Sequence, residues 1–66
     1  MQIVVNGEKL TLHHPILSDA LISWGYQLDM PMAVAVNQNV IPNSAYAQTP
    51  LKADDRVEIL MPMQGG

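Results

Sequence analysis

The chemistry this sequence can offer is concentrated in residues 61–66, Met61-Pro62-Met63-Gln64-Gly65-Gly66. The two glycines carry no side chains and leave the backbone wide freedom, so the reactive group expected there is the Gly66 carboxylate. Such a tail is thin enough to thread into a narrow enzyme site, with Gln64 and Gly65 leading the carboxylate in. Pro62 has no N–H to donate to a ladder, which makes it a natural point for strand pairing to lapse.

No other group of residues assembles a reaction centre. Ser18, Ser23 and Ser44 have no base-and-acid pattern around them, and a serine nucleophile needs one. Neither GxGxxG nor a phosphate loop with lysine is present. The chain has no cysteine, which excludes disulfides, thiolate metal sites and thiol nucleophiles. His13 and His14 are neighbours, so in an extended segment their side chains point apart. With no cysteine or cluster of acids to complete a metal site, they read as solvated loop residues. Asp54-Asp55 reads as a solvated turn rather than a catalytic carboxylate pair. A chain this small has little room for a substrate pocket, so it is expected to be acted on rather than to catalyse.

Composition sets the frame for that tail. Sixty-six residues make one small domain, 1–66, with residues 62–66 expected as a flexible tail. Apolar residues make up 48% and charged residues 14%, a balance that favours a packed core over disorder. The net charge is −3, and Lys9, Lys52 and Arg56 are the only cations besides the histidines. No basic stripe exists for nucleic acid, and an acidic surface suits a partner with a basic docking face. No apolar run approaches membrane-span length and no secretion signal is visible, so no membrane association and a cytoplasmic location are expected.

The elements that must hold the tail follow in chain order. Residues 1–5 alternate as a strand, with Ile3 and Val5 on one face. Asn6-Gly7 is a strong hairpin signal, and residues 8–12 return with Leu10 and Leu12 inward. Pro15 suits a first helical turn, and Leu17, Ala20, Leu21 and Trp24 then fall on one helical face. Gly25 sits where a left-handed cap belongs, and Trp24 reads as a core anchor. Residues 32–37 form a third strand with Val34 and Val36 inward. Gln38-Asn39 is the expected turn, and Val40-Ile41-Pro42 a short edge strand. Asn43 or Ser44 is placed to cap a single helical turn, and Leu51 to plug the core. A last strand with Val57 and Ile59 inward runs to the tail.

That order is β-β-α-β-β-β, an α+β chain. A mixed sheet of about five strands can close over one helix, as in the ubiquitin-like β-grasp architecture. By analogy with that fold, the last strand belongs beside the first, parallel and central. On the outer face of the sheet, Val4, Ala33, Ala35 and Leu60 would then point away from the helix. Small and apolar residues on a face that is usually polar mark a flat patch for another protein to cover.

Taken together these residues resemble the ThiS family, the small sulfur carriers of thiamine thiazole biosynthesis. The resemblance spans essentially the whole chain: the Met1-Gln2-Ile3-Val4-Val5-Asn6-Gly7 opening, the helix with Leu17, Leu21 and Trp24, Ala33-Val34-Ala35-Val36-Asn37, Val40-Ile41-Pro42, and Val57-Glu58-Ile59 leading to Gly65-Gly66. One departure is Asp54-Asp55, where the family commonly has Gly-Asp, and it bears on how tight that turn is. The resemblance implies that a ThiF-like adenylyltransferase uses ATP to convert the Gly66 carboxylate to an acyl-adenylate. Sulfur from a persulfide donor then replaces AMP, and a ThiG-like thiazole synthase takes it from the Gly66 thiocarboxylate. It implies no stably bound cofactor, a monomer when free, and a protein cosubstrate rather than an enzyme. Two other readings share these features: the small subunit of molybdopterin synthase, which is usually longer, and a ubiquitin-like module that binds partners without using its tail. A carrier for another sulfur pathway stands beside them.

Overall fold

Two asparagine-led turns set the geometry of the sheet. The structure, a computed structural model, describes residues 1–61. Strand β1 (Gln2–Val5) pairs antiparallel with β2 (Glu8–Thr11), closing at Val5 opposite Glu8. Strand β3 (Ala33–Val36) pairs the same way with β4 (Asn39–Ile41), closing at Val36 opposite Asn39. The loop residues all have positive φ: 51° at Asn6, 79° at Gly7, 51° at Asn37 and 71° at Gln38. Positive φ at both central residues is the mark of a two-residue type I′ turn, whose twist matches that of the strands it joins. The second turn therefore lies one residue earlier than the Gln38-Asn39 pair expected from sequence. Asn39 is already in the strand, because asparagine at position 37 tolerates the left-handed region better than the valine before it.

Gln38 has a side chain where glycine would be free of strain. Gln38→Gly is expected to stabilise the fold by about 0.5–1 kcal/mol, the relief of the left-handed penalty less the extra chain entropy of glycine. The melting temperature should rise by roughly 2–8 °C. An unchanged or lower melting temperature would show that the turn carries no such strain.

Strand β5 (Arg56–Leu60) lies at the centre of the sheet, in the order β2-β1-β5-β3-β4. It runs parallel to β1, with Val5 beside Val57, and antiparallel to β3, from Val36 beside Val57 to Ala33 beside Leu60. The turn that feeds it places Asp54 at φ 68° and bonds the Asp54 N–H to the Gln2 carbonyl at 2.8 Å. The turn thus survives without glycine, at a left-handed aspartate. Asp55 is not the solvated turn residue expected, being only 5% exposed. Its Oδ1 accepts from Asn37 Nδ2 at 3.0 Å and its Oδ2 from the Lys52 N–H at 2.9 Å.

Helix α1 (Leu17–Ser23) covers the inner face of the sheet. It starts two residues past Pro15, with Ile16 as N-cap, because Pro15 and Ile16 are tied into the crossover instead. The Pro15 carbonyl accepts from the Leu51 N–H at 2.6 Å, and Ile16 forms a bridge with Pro50. The helix ends as expected at Gly25, φ 96°. The Gly25 N–H bonds the Ile22 carbonyl and the Tyr26 N–H the Leu21 carbonyl, each at 3.0 Å, which completes a Schellman cap. Leu17, Ala20 and Leu21 join Ile3, Val5, Val34, Val36, Val57 and Ile59 in one core. Trp24 packs half-buried against that core, and Leu51 plugs it.

The short 3₁₀ helix Asn43–Gln48 has Pro42 as N-cap and no side-chain cap. Asn43, expected to cap it, donates to the Leu28 carbonyl at 3.0 Å and so ties this turn to the connection after α1. Tyr46, not expected in the core, is buried in it, and burial raises its phenol above the ordinary value.

Candidate functional site

Gly66, expected to react, and Gln64 and Gly65, expected to thread with it, lie outside the described residues, as does the whole of the expected tail, 62–66. What the structure describes is the strand that delivers them. Successive residues of a strand aim their N–H and C=O at opposite neighbours. In β5 the groups of Val57 and Ile59 face β1, and those of Arg56 face β3, as the Asn6 N–H to Val57 carbonyl bond (2.9 Å) and the Asn37 N–H to Arg56 carbonyl bond (2.8 Å) show.

Both turn asparagines reach into β5 with their side chains. Asn6 Oδ1 accepts from the Ile59 N–H at 2.8 Å, and Asn6 Nδ2 donates to the Ile59 carbonyl at 3.3 Å. Asn37 Oδ1 accepts from the Arg56 N–H at 3.0 Å while its Nδ2 holds Asp55. A primary amide presents an acceptor oxygen beside a donor nitrogen, the same two kinds of group a backbone residue presents. Each asparagine therefore extends the ladder where its hairpin has already turned away, Asn37 at the start of β5 and Asn6 near its end. Sequence reasoning found both only as turn formers. The missing signal is the partner strand, since Asn6 and Ile59 are distant in sequence and neighbours only once the sheet order is known.

The four residues expected on the outer face do point away from the core, but they do not form one patch. Ala33 lies beside Leu60, and Ala35 lies between Glu58 and Val40. Leu60 is 73% exposed and Val40 76%. These line a shallow apolar groove with Glu58 at its margin. Val4 stands apart, between Lys9 of β2 and Arg56 of β5. Val40 was not singled out from sequence, although its place one residue past the turn puts it opposite Ala35. Along these strands the outer face carries Lys9 and Arg56 against Glu58. The two cations flank Val4, and the charged residue at the groove itself is Glu58.

His13 and His14 are exposed on the crossover to α1. Among the described residues no group of three or more His, Asp or Glu could hold a metal ion, and no helix is long and apolar enough to cross a membrane.

The sequence model of the ThiS family matches residues 7–66. The chain belongs to the ThiS family. Its structure is similar to the crystal structure of the thiamine biosynthesis protein ThiS from Geobacter metallireducens, with TM-score 0.83, 28% identity and complete coverage of both chains. It is likewise similar to a solution NMR structure of a thiamine biosynthesis protein from Geobacter metallireducens, with TM-score 0.79 and 28% identity over all of this chain and 88% of the other. A search of curated proteins gives no match. This ThiS-family chain is thus a β-grasp domain, five mixed strands on one helix, and the parallel, central placement of its last strand is the one expected by analogy.

Proposed function

We propose that this chain is a sulfur carrier of thiamine biosynthesis, a protein cosubstrate whose Gly66 carboxylate is activated and loaded by partner enzymes. The observation that carries this reading is a family match that runs through Gly65 and Gly66 on a full-length β-grasp domain. A ThiF-like adenylyltransferase joins the carboxylate to the α-phosphate of ATP and releases pyrophosphate. The terminal sulfur of a persulfide then attacks the acyl carbon and AMP leaves. A thiol cleaves the remaining S–S bond, which frees a Gly66 thiocarboxylate for a ThiG-like thiazole synthase. A carboxylate is a poor electrophile and a mixed anhydride a good one, so the catalytic machinery belongs to the partners. This chain supplies a docking face and a threadable end, and sulfur held as a thioacid requires no cysteine.

The docking face assigned to the adenylyltransferase is the apolar groove of Ala33, Ala35 and Leu60, extended by Val40. A charge set at its centre should be costly, so Leu60→Asp is expected to weaken binding about tenfold or more with the fold intact. Ala35→Asp should act the same way. Intact mass after incubation with ATP, the adenylyltransferase and a persulfide donor tests the whole reading. The expected product has one oxygen replaced by sulfur. An unchanged mass with cognate enzymes would remove the carrier reading and favour a module that binds without using its tail.

A further inference from the structure

The geometry points to Asn6 as a positioning residue for the activation step, the group that ties the end of β5 to the β1 side of the sheet. This inference rests on the carrier reading. On the β1 side, backbone pairing ends with the Asn6 N–H on the Val57 carbonyl, because the chain turns at Asn6-Gly7. The next groups facing that side are the N–H and C=O of Ile59, and the Asn6 side chain takes both. Leu60 is then held from the other side, beside Ala33 of β3. Ile59 is consequently the last residue tied to β1, and Asn6 is what ties it. From Leu60, paired on one side only, to Gly66 the chain can span roughly 21 Å at full extension, so the hold that Asn6 keeps on Ile59 helps to set the origin of that reach.

Removal of the amide leaves two backbone groups of Ile59 to water and the end of β5 paired on one side only. The freed segment must be ordered again when the carrier docks. That cost falls on binding rather than on the chemical step, because the bound carboxylate is the same.

The fold contains its own control. Asn37 has the same φ of 51° and also makes two side-chain bonds, to the Arg56 N–H and the Asp55 carboxylate, but at the far end of β5. Glycine is the right replacement at both positions, since it accepts positive φ and removes only the side chain. In ATP–pyrophosphate exchange with the cognate adenylyltransferase, at a temperature where all variants are fully folded, Asn6→Gly should raise KM for the carrier about tenfold and leave kcat unchanged. Asn37→Gly should lower the melting temperature yet keep the wild-type KM. Asn6→Asp should behave like Asn6→Gly, because a carboxylate still accepts from the Ile59 N–H but sets an oxygen against the Ile59 carbonyl. Hydrogen exchange reads the clamp directly: the Ile59 amide should exchange about ten times faster or more in Asn6→Gly than in wild type. Wild-type KM and wild-type Ile59 protection in Asn6→Gly would overturn the assignment, as would an equal rise in KM for Asn37→Gly. If wild type itself supports no exchange, the carrier reading fails, and the Ile59 amide still decides whether Asn6 holds the strand end.

Discussion

Deletion of Gly66 is expected to abolish ATP–pyrophosphate exchange while the melting temperature stays at its wild-type value. The deletion moves the carboxylate back by one residue, a reach of about 3.5 Å, as large as the whole near-attack separation between reacting atoms. Gly65→Val should have the same effect for a different reason. It adds a β-branched side chain to a segment that, on the carrier reading, has to thread a narrow channel, and it restricts the dihedrals available there. Stability should be untouched, because glycine has no side chain to pack and chain-terminal residues contribute little to a fold. Both variants keep the outer face and should compete with wild type for the adenylyltransferase. Normal exchange by both would return this chain to the class of ubiquitin-like binding modules.

The second large effect is expected at Asp55. Its two oxygens accept from Asn37 Nδ2 and from the Lys52 N–H, and the residue is almost wholly buried. Asp55→Ala leaves both donors without a partner and should cost about 2–3 kcal/mol. In a domain of this size the melting temperature should fall by roughly 10–20 °C, a large part of the stability such a core supplies. Asp55→Asn should be nearly as damaging despite its matching shape. One amide end would set a donor against a donor, and Asn37 cannot flip to relieve this without losing the Arg56 N–H. Thermal melts of the two variants check the claim, and a wild-type melt for Asp55→Asn would show that the network has no fixed polarity.

The strands, the helix and the inward set were legible from period and turn chemistry alone. Ile3, Val5, Val34, Val36, Val57 and Ile59 follow from alternation, and Gly25 from the place where a helical stripe stops. The place of β5 between β1 and β3 was available only by analogy, since no local pattern states which strands meet. The polar residues were the least legible. Asn6, Asn37 and Asp55 have compositions typical of turns, and each does sit at a turn. Their further work is done on partners far along the chain, so it appears only after the sheet has closed. Tyr46 was missed because a 3₁₀ turn has too few residues to show a stripe. Alternation places Val4 on the correct face, but the strand order sets Arg56 of β5 between it and the residues of the groove.

The central place of β5 has a consequence for the order of events during synthesis. Every earlier strand sits in one of two hairpins, β1-β2 and β3-β4, and the gap between them is filled by the last strand made. Until β5 emerges, the inner edges of both hairpins are bare, and an isolated two-stranded hairpin is marginal in water. The contacts that join them connect sequence ends, so the domain closes late, after the longest loop has been brought together. A nascent chain cut short before β5 therefore has no sheet to fold into. Folding therefore waits for β5, because a chain that reaches its native state has already made the strand that leads to residues 62–66.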